Sequence, residues 1–209
     1  MTDRYHHGDL REALIQAALE LVAARGLDGF SMREAARAAG VSSAAPYRHF
    51  ADNDALLRAA AQRVARLLSE AQHSAIKQHD EPLLRFRAIG VRSVGFAVAH
   101  PEWFKLMNTS RYLDRSDPAT RTQLQQNQRA VEVALEASVE RGALGETHDP
   151  SVIMLAVQAT TYGLARMFLD GHFSTEDLSQ EQAEKVAGTV LDMLGTGFLE
   201  KSMRDQTAP

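Results

Sequence analysis

The stretch FSMREAARAAGVSSAAPYRHF, residues 30–50, decides the fold of the first part of the chain. Ser31 is followed three residues later by Glu34, which is the spacing of a capping box at the start of a helix. Gly40 stands where a helix commonly ends on a residue in the left-handed conformation. The stretch therefore predicts a short helix that begins after Ser31 and ends in a tight turn at Gly40.

A second short helix is predicted directly after this turn. Ser42 or Ser43 can cap it, and it runs to about His49. Pro46 fits only if the helix begins late, near Ser43, so that the missing amide falls in the first turn. Two helices joined in this way form a helix-turn-helix, in which the second helix, here called the reader, enters the major groove of DNA.

The sequence of this stretch resembles that of the TetR family of bacterial transcriptional regulators, and the resemblance covers about the first third of the chain. It rests on the turn glycine, the Val-Ser step and the Tyr-x-His-Phe motif, at Gly40, Val41, Ser42, Tyr47, His49 and Phe50. The resemblance implies a helix-turn-helix domain at residues 1–51 and a ligand-binding and dimerisation domain at 52–209. It also implies a connecting helix over about 52–79, operator DNA and a small-molecule effector as partners, and no cofactor.

The rest of the chain also predicts helices. Asp9 and Glu12 form a capping box for a helix that ends at Arg25. Proline at helix starts and glycine at helix ends, at Gly142 and Gly171, divide the later part. Ser179 with Gln182 is a capping box for the last helix. These signals place helices at 82–99, 101–109, 118–141, 150–170 and 180–201. No stretch alternates like a strand, so we expect an all-α fold.

Composition excludes several classes of protein. The 209 residues include 44% hydrophobic and 24% charged residues, the balance of a globular protein, and no cysteine. A polar N-terminus and the absence of a long uninterrupted apolar run predict a soluble, cytoplasmic protein. The net charge is −4, but the first 66 residues hold nine arginines against eight acidic residues. The charge alone does not indicate DNA.

Candidate DNA contacts follow from position and side-chain chemistry. Arg48 is the best candidate for reading a base, because its guanidinium can donate to O6 and N7 of guanine. The competing interpretation is a solvated surface arginine. Phosphate donors are expected from the reader and from the preceding helix. The full predicted set is Ser31, Arg33, Ser42, Ser43, Ala44, Tyr47, Arg48, His49 and Asn53.

Two residues depart from the family pattern. Many relatives carry a lysine at the start of the connecting helix, where this chain has Asn53 between Asp52 and Asp54. Pro46 replaces an aliphatic residue inside the reader. Both departures motivate a second hypothesis, a dimeric carrier of hydrophobic ligands with a degenerate DNA-binding head.

The segments HPEWFKLM, residues 100–107, and TTYGLARMFLDG, residues 160–171, resemble the regulatory domain of a TetR subgroup with a Trp-His-Gly signature. Tyr162 here replaces the histidine of that signature. We expect an apolar effector pocket with a few polar groups, although each apolar residue alone is more often core. The candidate lining is Arg92, Phe96, His100, Trp103, Phe104, Met107, Met154, Gln158, Tyr162 and Arg166.

The sequence favours a regulator over an enzyme. It contains no phosphate-cradling glycine loop, no HExxH and no Gly-x-Ser-x-Gly motif, and no metal site is expected because His6 and His7 lack partner ligands. Reading a near-palindrome requires two heads about 34 Å apart. We therefore expect a homodimer, and the resemblance implies that it forms through the last two long helices. We also expect a repressor that a small, largely apolar effector releases; activation remains an alternative.

Overall fold

The computed structural model describes residues 7–112, 149–172 and 179–206, together with single positions between the first two ranges. Those positions are 118, 121, 122, 125, 128, 129, 132, 133, 136, 137 and 140. Over these parts of the chain every regular element is a helix and no strand occurs, so the predicted all-α fold is confirmed.

The described residues form seven α-helices and one short 3-10 helix. In chain order these are α1 His7–Arg25, α2 Met32–Ala38, the 3-10 helix Ala45–Arg48, α3 Asn53–Ile76, α4 Pro82–Ala99, α5 Pro101–Asn108, α6 Pro150–Leu169 and α7 Gln180–Gln206. The predicted helix over 118–141 and its stop at Gly142 lie largely outside the described residues, and its described positions are helical.

The chain divides into two compact units. The first comprises Met1–Leu67 and His100–Arg121 and contains the helix-turn-helix stretch and α5. The second comprises Leu68–Ala99 and Thr122–Pro209 and contains α4, α6 and α7. The segment after His100 thus belongs to the same unit as the helix-turn-helix.

The predicted start and stop of α2 are confirmed. Ser31 is extended, and its hydroxyl accepts a hydrogen bond of 3.2 Å from the Glu34 amide. Gly40 has φ +70°. The Gly40 and Val41 amides donate to carbonyls of the last turn, at 3.1 and 3.0 Å. This Schellman arrangement requires the left-handed residue that glycine supplies.

The reader differs from the predicted helix. It is a 3-10 helix of four residues that begins at Ala45, with Ala44 at the cap position and no side-chain cap, so the predicted cap at Ser42 or Ser43 is wrong. The Ala45 amide instead donates to the Ser42 carbonyl, at 3.0 Å. Pro46 limits how early the helix can begin, because its missing amide is tolerated only in the first turn.

Several helix ends also differ from the prediction. α1 begins at His7, which puts Asp9 inside the first turn rather than at the cap. Acidic residues are favoured both at the cap and in the first turn of a helix, because they complement the helix dipole. The residue type therefore could not show which of the two positions Asp9 occupies. α7 continues past Lys201 to Gln206.

The core of the second unit lies where α4 packs against α6 and α7. One buried cluster contains Phe86, Ile153, Val157 and Leu191. Gly90 lies against this cluster, and a β-carbon built on it would stand 2.7 Å from Cδ1 of Leu191. The Leu191 side chain therefore occupies the space beside Gly90 and would have to shift to admit a larger residue.

α6 carries apolar side chains on two faces. Within the described residues, Ser151–Leu169 is long and apolar enough to cross a membrane by length and composition, although Gln158 and Arg166 interrupt its apolar run. One face packs into the core through Ile153 and Val157, and the opposite face exposes Val152 and Leu155. A helix that is apolar all round needs cover on both sides. Core helices of soluble proteins meet the same test.

Alanine at Gly90 should destabilise the protein. The new methyl group collides with Leu191, which costs about 1 to 3 kcal/mol of overpacking, while alanine returns up to about 1 kcal/mol of helix propensity. Gly195→Ala is the matched control, since its β-carbon would meet nothing within 4 Å. Urea unfolding at one protein concentration should rank Gly90→Ala below Gly195→Ala. The reverse order would contradict the close approach at Gly90.

Candidate nucleic-acid interface and ligand-binding region

The helix-turn-helix rests on a closely packed apolar base. α1 contributes Leu14 and Val22, which are fully buried. α2 contributes Met32 and Ala36 from its inner face, and Phe50 closes the base after the reader. This base holds α2 and the reader against α1.

The opposite side of the helix-turn-helix presents polar side chains to solvent. Ser42, Ser43, Ala44, Tyr47 and Arg48 are all exposed, with Tyr47 at 63%. His49 is half-buried. The reader therefore exposes donors of three chemical kinds, hydroxyl, phenol and guanidinium.

Two arginines on this surface, Arg33 and Arg48, make no hydrogen bond or ion pair with any described part of the chain. Both are exposed. The neighbouring arginines are engaged, because Arg25 and Arg37 lie 2.7 and 3.6 Å from the Glu34 carboxylate. Unpaired guanidinium groups are able to bind phosphate or a guanine edge without first breaking an internal contact.

A cleft of about 530 Å³ lies beside Arg33. Its lining is Arg33, Glu34, Arg37, Val41 and Ser43. The hydrogen bond from Arg25 lowers the pKa of the Glu34 carboxyl, and the charges of Arg25 and Arg37 act in the same direction. The lining of this cleft holds two arginines and one carboxylate, so its balance of charge favours an anion.

The Ser31 hydroxyl is already hydrogen-bonded within the protein. It accepts from the Glu34 amide and lies 3.4 Å from Oε2 of Glu34, as a donor. A phosphate contact from Ser31 would have to share this hydroxyl.

Asn53 has a structural partner that sequence reasoning missed. Its Oδ1 accepts a hydrogen bond of 3.1 Å from the Met32 amide, in the first turn of α2. The amide group of Asn53 is left to donate. Asp52 caps α3 through the Ala55 amide, at 2.7 Å. Nothing local in the sequence indicates that Asn53 and Met32, 21 residues apart, would meet.

The candidate effector residues fall in both compact units. In the first, the His100 ring stacks on Trp103 with centroids 4.5 Å apart, and burial lowers the pKa of His100. The Trp103 indole N–H donates to the Leu19 carbonyl, at 2.9 Å. Phe104 is buried and Met107 half-buried. Trp103 therefore joins α5 to α1.

In the second unit, both charged candidates for effector binding form ion pairs within the protein. Arg92 pairs with Glu184 at 2.9 Å, and Arg166 pairs with Asp170 at 3.0 Å. The uncharged candidates differ in exposure: Phe96 is buried, Met154 is half-buried, and Gln158 and Tyr162 are exposed. The six residues thus do not share one environment within this unit.

Among the residues with described positions, no three His, Asp or Glu side chains come together as a metal site. The candidate functional site is therefore the helix-turn-helix surface, on which Arg33 and Arg48 pair with no described residue.

Comparisons with known proteins agree with this architecture. Residues 14–60 match the family described as bacterial regulatory proteins, tetR family, and residues 86–194, just over half of the chain, match the tetracyclin repressor-like C-terminal domain. No curated protein sequence matches the chain.

Solved structures match over most of the chain. A protein of unknown function from Rhodococcus sp. RHA1 is 30% identical, with 94% of this chain and 99% of that chain covered and a TM-score of 0.73. The ketosteroid transcriptional regulator KstR2 of Mycobacterium tuberculosis is 20% identical, with 90% and 93% covered and a TM-score of 0.64. AibR, solved with isovaleryl coenzyme A and operator DNA, is 20% identical, with 86% and 97% covered and a TM-score of 0.63.

The last two likenesses show the fold. Together with the two family matches and the helix-turn-helix surface, they identify the chain as a member of the TetR family of bacterial regulatory proteins.

Proposed function

We propose that this protein is a transcriptional repressor that binds a near-palindromic operator as a homodimer and leaves it when a small, largely apolar effector binds. The observation that carries the proposal is the pair of exposed, unpaired arginines, Arg33 and Arg48, on a helix-turn-helix of a TetR-family chain. Buried or paired arginines would have to give up internal contacts before they could bind DNA.

The DNA-binding head comprises residues 1–51 in this proposal. Arg48 donates to a guanine edge in the major groove. Tyr47 and His49 donate to phosphates, and Arg33 reaches a phosphate from α2 across the cleft that Ser43 also lines. The remaining predicted contacts of this surface are Ser31, Ser42, Ala44 and Asn53.

Residues 52–209 form the ligand-binding and dimerisation domain. Exposed apolar side chains on α6 and α7 support a dimer interface, and they are Val152, Leu155, Tyr162, Met167, Val186 and Met193. Large apolar side chains exposed together on two neighbouring helices are typical of an interaction site. Helices from two copies would pack there as a four-helix bundle.

We expect an apolar effector because most of the ten candidate residues are aromatic or aliphatic, although they are divided between the two compact units. KstR2 is described as a ketosteroid transcriptional regulator, and AibR was solved with isovaleryl coenzyme A, which joins a short apolar acyl group to a polar carrier. The segment 100–107 and the Tyr162-Gly163 step support assignment of this domain to the Trp-His-Gly type. Effector binding would change the separation of the two heads, provided that the effector binds the two states with different affinity.

The protein would act in the cytoplasm, where the chromosome of a bacterium is accessible. The alternative function, a dimeric carrier of hydrophobic ligands with a degenerate head, predicts no sequence-specific complex with DNA.

Arg48→Ala should abolish preferential binding to the operator. Each lost guanidinium–guanine contact removes about 1 to 3 kcal/mol of discrimination, and a dimer loses two. Fluorescence anisotropy with DNA flanking the protein's own gene, against a scrambled duplex, measures the preference at several salt concentrations. Arg129→Ala is the control, since Arg129 is exposed but pairs with Glu132 and Glu136.

Two outcomes contradict parts of this proposal. If the wild-type protein binds both duplexes equally and weakly, regulation of its own gene is excluded, and an empty genome-wide selection would favour the carrier. If the wild type is selective and Arg48→Ala remains as selective, Arg48 does not read a base.

A charge on the exposed face of α6 should split the dimer. Leu155 is 64% exposed, so Leu155→Glu leaves the core of the chain intact and places a carboxylate in the proposed interface. Leu84→Glu is the control, because Leu84 is an exposed leucine on α4. Sedimentation velocity should give the mass of one chain for Leu155→Glu and of two for Leu84→Glu. A dimeric Leu155→Glu variant would place the interface elsewhere.

A further inference from the structure

Arg111 lies in the turn after α5 and is held at two points. Its Nε and Nη2 donate to the same oxygen of Asp54, Oδ2, at 2.9 and 2.6 Å. Its guanidinium also lies over the Tyr112 ring, 6.0 Å from the centroid. These contacts fix the direction of a side chain that is otherwise long and flexible.

The contacts of Asp54 connect Arg111 to the helix-turn-helix surface. Asp54 lies in the first turn of α3, next to Asn53. Asn53 accepts from the Met32 amide at the start of α2, and the next residue along α2 is the unpaired Arg33. All of these residues belong to the first compact unit. Arg111 is therefore part of the head in space, although it is 57 residues from Asp54 in sequence.

The charges at the start of α3 raise a problem for DNA binding. Asp52 and Asp54 flank the uncharged Asn53, and two carboxylates repel a phosphate. Arg111 offsets one of these charges and keeps its own head in solvent, because its side chain is 68% exposed whereas that of Asp54 is 26% exposed. Its Nη1 group donates to no described part of the protein.

We propose that Arg111 contacts a backbone phosphate of the operator, and that Asp54 positions it there. Arg111 thus supplies at the start of α3 the cation that Asn53 does not provide. This inference rests on the proposed function, since it names a further contact of the same DNA-binding head. The contact comes from a segment outside the helix-turn-helix, downstream of α5.

The ion pair by itself does not account for this arrangement. Exposed ion pairs contribute little to stability. If Arg111 only neutralised Asp54, uncharged residues at both of these positions would serve equally well. A phosphate contact, in contrast, requires the guanidinium itself. The two explanations therefore differ when both charges are removed together.

The experiment compares Arg111→Ala, the double variant Asp54→Ala with Arg111→Ala, and the Arg129→Ala control, by anisotropy with the operator from 0.05 to about 0.3 M salt. Each lost phosphate contact should reduce the slope of log K against log[salt] by about 0.9, so about 1.8 for a dimer with two heads. At 0.1 M salt the affinity of Arg111→Ala should fall by roughly tenfold or more. Circular dichroism checks that each variant is folded.

The double variant decides between the explanations. If Arg111 contacts phosphate, the double variant keeps the reduced slope although its net charge equals that of the wild type. Recovery of the wild-type slope and affinity would overturn the proposal, because Arg111 would then only neutralise Asp54. An unchanged slope for Arg111→Ala would also overturn it. Failure of the wild type to bind any DNA specifically would instead refute the proposed function, and the two failures are thus distinct.

Discussion

The hydrogen bonding at the N-terminus of α2 is the constraint on which the head depends. The first amides of a helix have no partner within the helix. Ser31 satisfies one of them from the preceding residue, and Asn53 satisfies another from the start of α3. Because Asn53 also begins α3, this one contact fixes where the third helix starts relative to the second. The reader lies between these two helices in sequence, so its ends are set by them.

This constraint gives the departure at Asn53 a physical meaning. A lysine at this position has no acceptor and would leave the Met32 amide without its partner. Asparagine keeps the junction between α2 and α3 but brings no positive charge. Two described cations pair with carboxylates at the start of α3, since Arg111 lies 2.6 Å from Asp54 and Arg58 lies 4.0 Å from Asp52. One lysine could not supply both the contact between α2 and α3 and the positive charge. In this chain the two roles are assigned to two residues, Asn53 and Arg111.

Local signals predicted much of the fold. The cap at Ser31, the capping box of Ser179 and Gln182, and the left-handed glycines at 40 and 171 were all correct, because each depends on neighbours within a few residues. The reader was predicted too long, because it was expected to begin near Ser43, whereas it begins at Ala45 with Pro46 in its first turn. The site was predicted only in part. Its exposed reader residues follow from helix register, whereas Asn53 with Met32 and Asp54 with Arg111 are long-range pairs that no local pattern indicates.

The second unit shows how one helix can serve two packing surfaces. Gly90 of α4 leaves space for the Leu191 side chain of α7, and the inner face of α6 completes that core. The outer face of α6 remains apolar and exposed, which a single copy of the chain does not explain. A second copy would cover it and would also provide the second head that a near-palindrome requires.

The most direct test of the central claim is selection of DNA from a random pool by the purified protein, followed by sequencing. A dimeric helix-turn-helix regulator should enrich a near-palindrome whose half-sites are centred about one helical turn, roughly 34 Å, or a multiple of it apart. Enrichment of such a site by the wild-type protein, and its loss with Arg48→Ala, is the result predicted here. A pool that stays random after repeated rounds, with folded and dimeric protein, would contradict the account.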